Sequence, residues 1–301
     1  MTLSRRSLIQ HLGLLAAGAA LPPLGWAEPA LERVVAINWA AAESLLTLGV
    51  VPIAISDGSY YDRRMPTGDL PPSVQDIGPY WEPNLELIQA LRPQLILADP
   101  LPPPIARSLN RLAPTEIVDI FPTRDNVWAG CTRFLQRLAA RVNRADAAQA
   151  WIDNAEQRLD RCRARLATSQ QPPICVAVLN QDGRHATVYG RNSLPQAMLE
   201  RLGLRNAWQG ASSPMGNVLA GIDRLADDPT AHLLYIEIPT TSARLQSLRQ
   251  PNELWNHLPA VRQGHAQALG KFFPNGGAAS CLYLAERITD YLDPQGATAH
   301  G

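Results

Sequence analysis

The residues with the most chemistry to offer sit in short polar and aromatic clusters between apolar runs. They are Asn38-Trp39, the run Tyr60 to Arg64, Tyr80-Trp81, Asp99, Met215, and Phe272-Phe273-Pro274-Asn275. Each follows, or lies in a loop beside, a segment that reads as a β-strand, and open α/β sheets present ligands at the carboxyl ends of their strands. Aromatic walls with a few hydrogen-bonding groups suit non-covalent capture of a bulky, partly apolar small molecule. Trp39, Tyr61, Arg64, Tyr80, Trp81, Met215, Phe273 and Asn275 are accordingly the candidate ligand-binding residues. For any one of them, packing inside a loop or core is the competing explanation. Their recurrence at the same relative place in both halves favours a cleft.

Covalent chemistry has no comparable support. The chain holds no GxSxG, HExxH, GxGxxG or phosphate-loop motif,. Its six His are dispersed, with His11 near the start, His300 near the end, and 185, 232, 257 and 265 well separated. No catalytic or metal-ligating set is therefore assigned, and no cofactor is expected. The four Cys (131, 162, 175 and 281) lack metal-type spacing and read as buried free thiols,.

Composition narrows the class further. A chain of 301 residues can bury two cores of ordinary size, and 46% hydrophobic against 18% charged residues describes a globular protein,. The 27 basic residues include a single Lys, Lys271, and balance 27 acids. With no basic cluster beyond the N-terminal segment, nucleic acid is not expected as a partner. Residues 1–27 combine Arg5-Arg6, an apolar run and small residues before Ala27, which reads as an export signal of twin-arginine type,. The first Cys is Cys131, so no lipid anchor is expected at a mature N-terminus, and a soluble periplasmic protein is expected, taken to be a monomer.

The elements that must carry the clusters are legible in outline. Residues 144–168 (RADAAQAWIDNAEQRLDRCRARLAT) contain neither Pro nor Gly, although the chain has 26 and 20 of them. Trp151, Ala155, Leu159, Cys162 and Leu166 form one stripe at helical spacing, and the other faces can meet water,. Such a helix would reach roughly 37 Å and reads as a strut between lobes. Lobe one (28–143) has strands within 33–38, 51–55, 74–77, 94–98 and 116–120, with 56–73 as loop. Lobe two (169–301) has strands within 174–179, 186–189, 233–238 and 266–269, and short helices at 221–226, 243–248 and 253–258. The expected architecture is two Rossmann-like α/β lobes joined by one long helix, with the ligand cleft between them.

On these residues the chain resembles a known family. The stretches are Arg33-Val34-Val35-Ala36 with Trp39, Glu43 to Pro52 (ESLLTLGVVP), Asp76 to Ile88 (DIGPYWEPNLELI) with Leu91-Arg92-Pro93, Tyr189 to Gln196 (YGRNSLPQ), Gly203 to Gly210 (GLRNAWQG) and Ile222 to Ala226 (IDRLA). In order and spacing they are similar to the periplasmic iron(III)-hydroxamate siderophore-binding proteins of ABC importers, the ferrichrome-binding, helical-backbone type. The resemblance implies capture of a ferric siderophore and delivery to an inner-membrane ABC permease and its ATPase, with iron carried only inside the chelator. It also implies that Glu86 and Asp223 are the acids that dock the permease. Tyr80 stands where the family pattern has an Arg, and Leu101-Pro102-Pro103 stand where it has a Tyr; both family residues hydrogen-bond hydroxamate oxygens. The aromatics that the pattern has near Arg64 and near Met215 are also absent. The siderophore class thus stays open between hydroxamate and mixed chelate. Haem or a corrinoid is the rival ligand, and an exported siderophore-processing enzyme the rival class.

Overall fold

A computed structural model of the chain describes residues 30–121, 126–167, 170–238 and 253–298. The export segment 1–27, the helix expected at 243–248 and His300 lie outside the described residues. In the first half, β1 (Val34–Ala36), β2 (Ala54–Ile55), β3 (Gln75–Asp76), β4 (Leu95–Ala98) and β5 (Thr115–Ile117) make one parallel sheet in the order β3-β2-β1-β4-β5. Every residue of β1 and β4 is buried, as expected where helices cover both faces of a parallel sheet,. Between the strands run α1 (Trp39–Thr47), α2 (Gly58–Arg64), α3 (Leu85–Leu91) and α4 (Pro103–Leu112). The strand order reverses between β1 and β4, which puts the topological switch point beside Asn38 and Asp99,.

Helices α5 (Val127–Arg141) and α6 (Ala145–Leu166) lead into the second half. There β6 (Ile174–Leu179), β7 (His185–Tyr189), β8 (Asn217–Gly221), β9 (His232–Glu237) and β10 (Ala266–Ala268) pair in the order β10-β9-β6-β7-β8. This sheet is mixed, because β7 runs antiparallel to both β6 and β8. Helices α7 (Leu194–Leu202), α8 (Glu253–His257), α9 (Pro259–Arg262), α10 (Ala278–Leu292) and α11 (Pro294–Thr298) complete it. Residues 222–226 form a 3-10 turn and not an α-helix. The loop expected over 56–73 contains α2, whose N-cap Asp57 is left-handed and gives no side-chain cap. Strand β8 is half-exposed and carries no apolar alternation that sequence could register,.

The long helix α6 buries Ala148, Ile152, Ala155, Leu159, Cys162 and Leu166. Trp151, expected on that stripe, is half-buried and Ile152 takes its place. Its polar faces are not simply wet. Glu156 accepts from the Trp128 indole on α5 (2.6 Å) and from Arg201 on α7 (2.8 Å), so one side chain ties the helices of both halves. Arg158 makes a two-point contact with Glu286 of α10, and Arg165 pairs with Asp290 and Asp293 near its end.

The apolar helix α1 carries one acid, Glu43, which is 1% exposed. Its Oε2 accepts the Gly277 N–H at 2.5 Å and its Oε1 accepts the Ser280 hydroxyl at 2.6 Å, at the N-terminus of α10. Gly277 is required there: a Cβ would lie 2.9 Å from Glu43 Oε2 and 3.1 Å from the Ala40 carbonyl. Burial pushes the Glu43 carboxyl from its ordinary 4.5 up to about 7, against the lowering effect of the two hydrogen bonds. Tyr61 and Cys281 are the titratable groups within its field.

A carboxyl whose pKa is raised on folding adds stability that is complete below its unfolded value. That stability is lost as pH rises through the folded value. The stability advantage of the chain over its Glu43→Gln variant should therefore shrink between pH 4.5 and 7, by up to about 3 kcal/mol. Urea unfolding of both proteins at pH 5 and pH 8 measures it, and a pH-independent difference would contradict the assignment.

Candidate functional site

The carboxyl ends of the first sheet's strands carry the candidate site. Asn38 caps α1 by accepting the Ala41 N–H, and its amide nitrogen donates to Asp99 at 2.7 Å. Two loops at the switch point are thereby joined. Burial raises the Asp99 carboxyl, and the Asn38 bond partly offsets that. One residue on, the Trp39 indole donates to the Ser56 carbonyl at 2.9 Å, and the Ser56 hydroxyl donates to the Ile37 carbonyl at 2.6 Å. These bonds fix the indole plane relative to the sheet.

Around that indole the structure gathers Tyr60 and Tyr61, each at 5.6 Å between ring centroids, and Phe273 from the second half at 4.9 Å. The Arg64 guanidinium lies over the rings of Tyr60 (5.5 Å) and Phe273 (5.7 Å) and donates to the Tyr60 hydroxyl at 2.7 Å. Arg64 is only 5% exposed, and its Nε has no hydrogen-bond partner. Asn275 Oδ1, two residues beyond Phe273, is likewise buried without a partner. The Tyr61 hydroxyl is buried beside Thr67 but forms no well-shaped hydrogen bond. Tyr189, at the end of β7, has its phenol pushed up to about 12 by burial, while the nearby Arg64 charge acts the other way. Elements from both halves therefore meet around one cation and three under-satisfied polar atoms.

Four expected site residues, Trp39, Tyr61, Arg64 and Phe273, come together in this cluster. Tyr61 is fully buried, so it backs Trp39 and does not itself offer surface. Tyr80 and Trp81 pair edge-on with each other at 5.0 Å and are 45% and 56% exposed, with no ring contact to the cluster. Their loop is nevertheless tied to it, since Asp76 accepts from both Gly58 and Gly78. Met215 is 46% exposed on the turn before β8. Glu86 and Asp223 are both exposed, in the first turns of α3 and of the 3-10 segment. Sequence reasoning passed over Tyr60 and Tyr189, although both lie inside stretches singled out above.

No group of three or more His, Cys, Asp or Glu that could hold a metal ion occurs among the described residues. Two His do meet, against expectation: the rings of His232 and His265 stack at 4.0 Å, with the Tyr291 hydroxyl 2.9 Å from His232 Nδ1. Strand pairing of β9 with β10 brings them together, which their separation in sequence concealed. All four Cys are buried free thiols. Cavities of about 510 Å³ beside Arg158 and Asp290 and about 450 Å³ beside Trp208 and Arg224 lie apart from the aromatic cluster.

Comparison with known proteins places this geometry. A family model described as periplasmic binding protein matches residues 34–271. The iron(3+)-hydroxamate-binding protein FhuD of Escherichia coli is 30% identical over 96% of each chain. The crystal structure of FhuD from Vibrio cholerae bound to Fe3+-Desferal superposes with a TM-score of 0.77 at 30% identity, over 87% of this chain and 98% of that one. The triscatecholate siderophore binding protein FeuA of Bacillus subtilis, at 17% identity, shares the fold with a TM-score of 0.72 over 88% and 93% of the two chains. No helix among the described residues is long and apolar enough to cross a membrane. With the model spanning most of the chain and both sheets, this protein belongs to the periplasmic binding protein family.

Proposed function

We propose that the chain is a periplasmic substrate-binding protein that captures a ferric siderophore, of hydroxamate or mixed-chelate type, and delivers it to an inner-membrane ABC permease. The observation that carries this reading is Arg64, buried among rings from both halves with Nε unpaired. A buried donor without a partner costs about 1–3 kcal/mol, which an acceptor oxygen on a ligand recovers. Iron-coordinating oxygens of a chelate supply such acceptors, while its organic shell packs against Trp39, Tyr60 and Phe273. Asn275 adds a polar contact, Tyr61 backs the Trp39 indole, and the exposed Tyr80, Trp81 and Met215 can cover the outer part of the chelate. The metal is cargo wrapped in its chelator, so the protein needs no ligand set, cofactor or catalytic residue of its own. Relatives named for hydroxamate, Fe(3+)-dicitrate and achromobactin binding support the class of cargo.

Quenching of tryptophan fluorescence by the iron(III) complex of Desferal, against iron-free Desferal, tests the reading directly. Tight binding of the ferric form is expected, and Arg64→Ala should weaken it by about 1.5–3 kcal/mol with folding intact. A purified protein carrying the visible band of haem or a corrinoid, and indifferent to ferric hydroxamates, would overturn it.

The proposed partners are the permease and its ATPase, met by a monomer free in the periplasm. Glu86 and Asp223 each present an exposed carboxylate, one in each half, and two separated charges can orient a complex with basic permease side chains,. Changing both to Ala should abolish siderophore-dependent growth while leaving affinity and thermal stability unchanged. Normal growth of the double variant would remove the docking role. The helical layer joining the halves, with Glu156 bonded to α5 and α7 and Arg158 to α10, resists hinge bending,. X-ray scattering should accordingly show little compaction when ligand is added, and a marked decrease in radius would refute this.

A further inference from the structure

We propose that Glu43 is a positioning residue for ligand binding, one that holds Phe273 against Trp39 from a distance. The inference rests on the reading of the Trp39–Arg64–Phe273 cluster as the ligand site. Glu43 lies four residues after Trp39 on α1, so the two side chains share one helix face, a turn apart,. That face meets the chain at two points. Trp39 packs on Phe273, and Glu43 receives Gly277 and Ser280. The turn between them is short and closed, with the Gly276 N–H donating to the Phe273 carbonyl at 3.1 Å. Phe272, fully buried, anchors its other end by stacking on Tyr283.

The fold leaves this turn little other support. The N-cap of α10 is Gly277, which has no side chain to satisfy the first N–H groups of the helix,. Glu43, from the other half of the chain, holds this helix end by accepting the N–H of Gly277 itself and the Ser280 hydroxyl. Gly276 is needed as well: a Cβ on it would sit 2.1 Å from the Ser280 hydroxyl oxygen. Charged or protonated, the carboxyl offers Gly277 an acceptor, and so would a Gln amide. Ala offers none. Removing the acceptor frees the turn that carries Phe273 and Asn275, although Glu43 itself touches no ligand.

A double-mutant cycle read by fluorescence quenching with the iron(III) complex of Desferal tests this. Glu43→Ala should weaken binding about tenfold, Ser280→Ala less, and Glu43→Gln should stay within about threefold of the starting protein. In a Phe273→Ala background the loss from Glu43→Ala should be clearly smaller, because only its hold on Asn275 remains. Equal losses in both backgrounds, or no loss in either Glu43→Ala or Ser280→Ala, would overturn the proposal. Hydrogen exchange of peptides spanning 272–281 in ligand-free protein gives a second readout. Faster exchange confined to this segment is expected in Ser280→Ala and Glu43→Ala, and unchanged exchange would count against it. This measurement needs no ligand, so failure of the starting protein to bind the chelate would defeat the siderophore reading and leave the exchange result to judge Glu43's hold on the turn.

Discussion

The two sheets bury their inner faces against the same layer of helices, and most of the architecture follows from that sharing. One continuous apolar cluster runs from β1 and α1 through α5, α6 and α7 to β6, β9 and α10. The outer faces keep smaller clusters of their own, Ile88 and Leu109 against the first sheet, Ile222 and Leu258 against the second. Pulling the halves apart would expose the largest cluster, at about 25 cal/mol for each Å² of apolar surface. Helix α10 is central to this arrangement. It follows the second sheet in sequence but contacts helices α1 and α5 of the first half as well as α6 and α7.

What could be read from the sequence depended on how local each cause is. The run 145–166 identified itself, since a helix without Pro or Gly and with an apolar stripe is fixed by its own residues,. Strands β1, β4 and β6 did so too, as short apolar runs buried on both faces. The packing partner of α6 was hidden, and with it the choice of Ile152 over Trp151 for the interior. Glu43 left a faint sign, one acid within WAAAESLLT, which by itself reads as a solvent-facing position. A Gly276-Gly277 pair by itself reads as a break between elements,. Its meaning, close approach of α10 to α1, depends on residues more than 200 positions away.

The candidate site divides along the same line. Trp39, Arg64 and Phe273 were identifiable because polar and aromatic clusters following strand-like runs are a local signal. That Tyr61 lies behind the indole while Tyr60 flanks the cation is a matter of one residue's rotation along α2, which a seven-residue helix with no apolar period does not encode. The unpaired atoms of Arg64 and Asn275 could not be read in advance at all. They are defined by the lack of a neighbour within hydrogen-bond reach, a property of the assembled fold.

Sharing a core and leaving polar atoms unpaired are two sides of one design. On the proposed reading, a chain whose halves are held together by a common helical layer has little freedom to shape its site by closing around a ligand. Recognition must then be present beforehand, in side chains fixed before the ligand arrives. The bonds from Trp39 to Ser56, from Asn38 to Asp99 and from Arg64 to Tyr60 provide that fixity. In the proposed site, the open valences of Arg64 and Asn275 would then act as a filter. A molecule of the right size that lacks matching oxygen and N–H or O–H groups would leave them buried and unpaired, and would forfeit about 1–3 kcal/mol for each. On that reading, discrimination resides less in the aromatic walls, which accept many apolar shapes, than in the few buried polar atoms that the fold declines to satisfy by itself.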